Sequence, residues 1–152
     1  MDLKEHQKLE SVIEKVIEDT PSSQHASQQE SQQESLLHSV EIFDDRLTQA
    51  EKLALISLII SLRADWPCAK FTLFGSKVKG MADEESDLDL LVILTCPVDD
   101  EIRRRIVHRV FEINLIYGSN ISVLIFSEEE WEGGAVSVLP IHTVIEEEGI
   151  PL

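Results

Sequence analysis

The feature that most constrains this chain is the run from Phe71 to Leu94, FTLFGSKVKGMADEESDLDLLVIL. Its opening, Phe71-Thr72-Leu73-Phe74, is aromatic, β-branched and aliphatic, and it stops at Gly75, the pattern of a short strand closed by a turn. A second apolar run, LDLLVIL from Leu88 to Leu94, opens on Asp87 and Asp89. Residues two apart on a strand project to the same face, so both carboxylates leave together. Aspartate is poorly suited to strands, and a pair at the onset of such a run needs a reason other than packing. Like charges side by side repel, and a cation between them relieves the repulsion. Oxygen-only ligands at this spacing suit Mg²⁺ (or Mn²⁺). Mg²⁺ binds one or two carboxylates and completes its shell with water and substrate phosphates. Gly75 has no Cβ, so a phosphate can approach the main-chain N–H of Ser76, and Lys77 and Lys79 add positive charge beside the turn. A phosphate-cradling turn followed by paired aspartates predicts metal-assisted nucleotidyl transfer. Asp87 and Asp89 are then the catalytic residues and metal ligands, and Gly75, Ser76, Lys77 and Lys79 the nucleotide-binding ones.

These residues also carry a family likeness. Gly75-Ser76, ten further residues, then Asp87-Leu88-Asp89 resembles the signature of the nucleotidyltransferase superfamily that includes DNA polymerase β. The likeness is closer to its minimal members, the MNT-type proteins often paired with HEPN partners. Their run of Gly-Ser, two basic residues, Gly, acidic residues and Ser-Asp-Leu-Asp is matched by Ser76, Lys77, Lys79, Gly80, Asp83 to Glu85 and Ser86 to Asp89. Ser127-Glu128-Glu129-Glu130-Trp131 and the closing IEEEGI, Ile145 to Ile150, resemble the family's tail. The resemblance implies a nucleoside triphosphate substrate, with AMP from ATP moved to a hydroxyl. It implies a tyrosine of a HEPN-type toxin as acceptor, which makes this chain the antitoxin; a small-molecule acceptor is the other option. Active relatives carry a third carboxylate on the neighbouring strand, and aligning on Ser127-Glu128-Glu129 places Ser122 there. A serine cannot be an anionic ligand or base. Either two aspartates suffice, or a remote Glu substitutes, or catalysis has decayed and a binding module acting through protein contacts remains.

Charge narrows the partners. A net charge of −16 argues against duplex nucleic acid, whose binding is driven by Lys and Arg. A nucleotide remains acceptable, because Lys77, Lys79 and a bound metal offset its charge locally. Cys68 and Cys96 lack a metal-type spacing, which predicts buried free thiols in a reducing cytoplasm. There is no secretory start and no apolar run long enough to span a bilayer, so no membrane association is expected.

Around the central run the chain divides in three. Residues 1–19 hold an amphipathic helix, Leu3 to Glu18, with Leu9, Val12, Ile13, Val16 and Ile17 on one stripe, ended by Thr20-Pro21. Its stripe must dock on this domain, on its own copy in a homo-oligomer, or on another protein. Residues 20–36 are a Gln- and Ser-rich tract read as a flexible linker. Residues 37–152 form the nucleotidyltransferase-like domain, with 43% hydrophobic content overall to supply its core. There Leu36 to Phe43 is ambiguous, and Thr48-Gln49-Ala50-Glu51 is a capping box opening a buried helix to about Arg63. A second helix spans Asp100 to Tyr117, its Arg103, Arg104, Arg105 and Arg109 read as a solvated face pairing locally with Asp99 to Glu101. His108 is read as a surface residue without a partner. A third strand, Ile121 to Phe126, a helical turn at Glu128 to Trp131 and a closing helix, Leu139 to Glu148, complete the order. The fold class is α/β (α+β): a small mixed β-sheet packed by helices, nucleotidyltransferase-like, with an N-terminal helical extension.

Overall fold

The computed structural model describes Ser11, residues 46–80 and residues 86–152. The expected N-terminal helix and linker, the run from Leu36 to Phe43 and the acids Asp83 to Glu85 lie outside the described residues.

Thr48 opens the first helix, α1 (Gln49–Asp65), with the expected capping box. Its hydroxyl accepts from the Glu51 N–H at 3.2 Å, and Glu51 Oε2 accepts from the Thr48 N–H at 2.8 Å. Leu53, Leu55, Ile56, Leu58, Ile59 and Leu62 bury most of its circumference. Strand β1 (Lys70–Phe74) follows, then the single turn α2 (Ser76–Lys79), strand β2 (Leu88–Leu94) and helix α3 (Asp100–Tyr117). Asp99 caps α3 by accepting from the Ile102 N–H at 2.8 Å, and Gly118 ends it in the left-handed conformation. Strand β3 (Ile121–Ser127) leads into α4 (Glu128–Gly133), a 3₁₀ turn at Ala135–Val138, α5 (Pro140–Glu148) and the two-residue strand β4 (Ile150–Pro151). Helix α4 opens on a second capping box, between Ser127 and Glu130. The Ser127 N–H and hydroxyl bonds hold the Glu130 carboxyl below its ordinary range.

The sheet runs β3-β2-β1-β4. Strands β2 and β3 are parallel, joined through α3, while β1 is antiparallel to both β2 and β4. Leu88, Leu90, Val92 and Leu94 pack into the larger core with α1 and α3. The alternate residues Leu91 and Ile93 pack with Phe74, Trp131 and Ile145 on the opposite face, under α4 and α5. This is the mixed, helix-packed sheet that the alternation of elements predicts. Its additions are β4 and the helical turn after Gly75.

Two local readings change. Cys68 is exposed and Cys96 half-buried, not buried thiols, because they sit just outside β1 and β2 rather than in the strands. The arginines of α3 make tertiary contacts in place of the local pairs with Asp99 to Glu101. Arg105 and Arg109 each reach Asp65 Oδ2 at 3.2 Å, Arg109 donates to the Ser61 carbonyl at 3.1 Å, and Arg103 donates to the Ile125 carbonyl at 3.1 Å. Arg104 alone among them bonds locally, to the Asp100 carbonyl. The cause is the antiparallel packing of α1 and α3, which sets Asp65 opposite the α3 N-terminal half. His108 has Glu112 as an i,i+4 neighbour at 3.6 Å. No helix among the described residues is long and apolar enough to cross a membrane.

Candidate active site

The site forms where β1 ends and β2 begins. In register, Phe74 lies opposite Asp89 on β2, and Asp89 lies opposite Ser122 on β3. The next residue, Gly75, turns the chain with φ +85°, a conformation that L side chains rarely adopt. A Cβ there would also strike the Asp89 carboxylate: its Oδ2 would lie closer than any real Cβ contact and its Cγ at 3.2 Å. Glycine is therefore required twice, once by the backbone angle and once by the carboxylate pressed against the turn. Ser76 begins α2 and is half-buried.

Strand β3 supplies one neutral donor to each aspartate. Ser122 Oγ donates to Asp89 Oδ1 at 2.7 Å, and Asn120 Nδ2 donates to Asp87 Oδ1. Asn120 is held in turn, since its carbonyl accepts from the Leu88 N–H at 2.9 Å. The second oxygen of each carboxylate has no hydrogen-bond donor among the described residues. Asp87 is exposed and Asp89 half-buried. Two carboxylates with one open oxygen each, beside a serine hydroxyl, fit an ion such as Mg²⁺ that draws much of its shell from water and phosphate. They do not fit an ion needing three anions. Among the described residues no group of three or more His, Cys, Asp or Glu is placed to hold a metal.

The lysines of the turn are engaged with carboxylates. Lys77 is 3% exposed, and its Nζ lies 2.9 Å from Glu51 Oε1, itself in a 7% exposed residue. Lys77, expected beside a phosphate, thus has its ammonium paired with Glu51 inside the fold. Lys79 Nζ lies 2.6 Å from Glu148 Oε2 at the half-exposed surface. Such a pair is weak in water and can exchange for another anion.

Sequence reading missed Glu51 and Asn120. Glu51 was visible only as a helix cap, and nothing in its neighbourhood signals that the same carboxylate also takes the Lys77 ammonium. Asn120 sits just before the third apolar run, and only the parallel register shows that it neighbours Asp87 as Ser122 neighbours Asp89.

Two outcomes follow from this geometry. Gly75→Ala is expected to reduce nucleotidyl transfer by roughly 10²-fold, because its methyl displaces Asp89, and misplacement on the scale of an ångström costs about that much. Comparing transfer rates with the far-ultraviolet spectrum of the variant checks it. Ser122→Asp is expected to tighten Mn²⁺ binding by about tenfold or more, measured by titration calorimetry, since a third anion joins the two aspartates. Unchanged affinity would mean that position 122 does not face the ion.

A mixed sheet that holds a glycine-opened strand–helix turn against an aspartate on the adjoining strand defines a nucleotidyltransferase-type domain. A family model, the nucleotidyltransferase domain, matches residues 55–150, well over half of the chain, and the chain belongs to that family. The match spans the turn, both aspartates, Asn120 and Ser122. General nucleotidyl transfer is the activity that membership supports, with a nucleotide as substrate. No curated protein and no solved structure matches the chain significantly.

Proposed function

We propose that this chain is a minimal nucleotidyltransferase that moves AMP from ATP to a hydroxyl, with Asp87 and Asp89 holding Mg²⁺ (or Mn²⁺). The observation that carries the reading is the contact of the Asp89 carboxylate with the Gly75 turn. It brings the oxygen that would hold a cation beside the main chain that would hold phosphates. When bound, the ion neutralises the triphosphate and draws electrons from the phosphoryl group under attack. The chain's own residues supply the rest. Ser122 and Asn120 each hold one oxygen of the two aspartates, and the other oxygen of Asp89 lies against the Gly75 turn. Gly75 keeps the approach to Ser76 open, and the Ser76 N–H and hydroxyl hold phosphate oxygens. In the transfer the acceptor hydroxyl gives its proton to solvent, its oxygen bonds to the α-phosphorus, the bond from that phosphorus to the α–β bridging oxygen breaks, and pyrophosphate leaves with the electron pair.

What position 122 lacks favours one class of acceptor. A carboxylate there could take a proton from an aliphatic alcohol; a serine cannot. A phenol, with a pKa of about 10, needs less help to ionise. That supports a tyrosine acceptor, which by family likeness belongs to a HEPN-type partner for which this chain is the antitoxin. The second reading is a binding module of the same fold with impaired chemistry, favoured by the neutral Ser122 hydrogen-bonded to Asp89.

Incubation of the full chain and its co-purified partner with α-labelled ATP separates the two. Label is expected on the partner with Mg²⁺, none after chelation, and none from γ-labelled ATP. A partner that stays bound and unlabelled throughout would overturn transfer and leave the binding module.

A further inference from the structure

The outer face of α3 carries an apolar line that the described residues leave exposed. Val107, Phe111 and Leu115 recur every four residues and are 49%, 59% and 68% exposed. The buried side of the same helix is Ile106, Val110 and Ile113, so the line lies on the side turned away from the core. Three large apolar side chains aligned along one helix face are a docking stripe rather than scattered surface residues.

We propose that the N-terminal segment of this same chain covers it, laying Leu9, Val12, Ile13, Val16 and Ile17 along Val107, Phe111 and Leu115. The two stripes match in length. Each runs eight positions, about 12 Å of helix at 1.5 Å per residue. Residues 1–19 carry six acidic side chains against three basic, and the exposed Arg104 flanks the α3 line. The connection also fits. Ser57 bonds Tyr117 and Asp65 pairs with Arg109, so α1 and α3 run antiparallel. The chain therefore enters α1 at the end nearest Leu115. The residues between Ile17 and Arg46 are ample to reach that face from there. A tethered segment acts at an effective concentration of roughly millimolar, well above that of a second copy at micromolar protein, which favours its own domain. The inference is independent of the transferase reading, since it uses neither aspartate nor the glycine turn.

Hydrogen exchange read by mass spectrometry on the full chain at low micromolar concentration tests it. An isolated helix of this length is marginal, so undocked amides exchange near the rate of unstructured chain. Residues 5–18 are expected to exchange at least about tenfold more slowly than that, in a protein that sediments as a monomer. Phe111→Asp with Leu115→Asp should abolish the protection. Both positions are exposed, so the thermal midpoint of the core should hold. Ile13→Asp with Val16→Asp should have the same effect from the other side. The proposal is overturned if residues 5–18 are unprotected, if protection survives either pair of substitutions, or if it appears only with dimer formation. The last result would assign the stripe to a second copy.

Discussion

Alanine at position 89 is expected to lower label transfer by roughly 10²–10³-fold, the usual cost of deleting one group that stabilises charge in the transition state. The fold should not suffer. Asp89 is half-buried, its bond in the described structure is from the Ser122 hydroxyl, and that hydroxyl is itself exposed and can turn to water. Aspartate is also a poor strand residue, so the thermal midpoint is expected to stay or rise slightly. Asp87→Ala should reduce transfer as well, again with the midpoint unchanged, because Asn120 remains anchored through its carbonyl to Leu88. Transfer rates and melting curves measured on the same preparations decide the matter. If Asp89→Ala transfers label at the rate of the parent, the metal-ligand assignment is wrong. If activity and midpoint fall together, Asp89 serves the turn and not the chemistry.

Lys77→Ala is expected to act on stability, by about 3–5 kcal/mol, because it leaves the Glu51 carboxylate buried without its cation. In a domain of this size that corresponds to a loss of roughly 15 °C or more in the thermal midpoint. The carboxylate cannot turn away, since its other oxygen holds the Thr48 N–H and hydroxyl at the start of α1. Pairing Lys77→Met with Glu51→Gln removes both charges and should recover much of the loss, which a double-mutant cycle would read as strong coupling. A Lys77 that instead gripped phosphate would give the reverse pattern: ATP affinity lost, midpoint kept. Through this pair the first turn of α1 braces the helical turn after Gly75, so that turn is tied to the most buried helix of the domain.

The local outline of the domain was legible from residues. The boundaries of α3 match its apolar stripe and its acidic first turn, and the Thr48 capping box sits where its side chains predict. Strands β1, β2 and β3 lie where the apolar runs are bounded by Gly, Pro and Asn. The misreadings share one cause. The Glu51 partner of Lys77 was not foreseen because the sequence neighbours of Lys77 are a turn, and the arginines of α3 looked solvated because their sequence neighbours are acids. In both cases the partner lies far along the chain: Glu51 for Lys77, Asp65 for Arg105 and Arg109. Cys68 and Cys96 looked buried because each adjoins an apolar run, but each falls past its end.

Periodicity, caps and glycines act over a few residues, and that range set the helices, the strands and the open turn at Gly75. Those properties need only local sterics and the two backbone periods. What touches those elements depended on the tertiary arrangement. Strand order laid Ser122 beside Asp89 and Asn120 beside Asp87, folding pressed Asp89 onto Gly75, and α1 reached back to neutralise Lys77. Each of these is a contact between segments distant in sequence. Its formation rests on how whole faces bury together, which no short window of residues encodes.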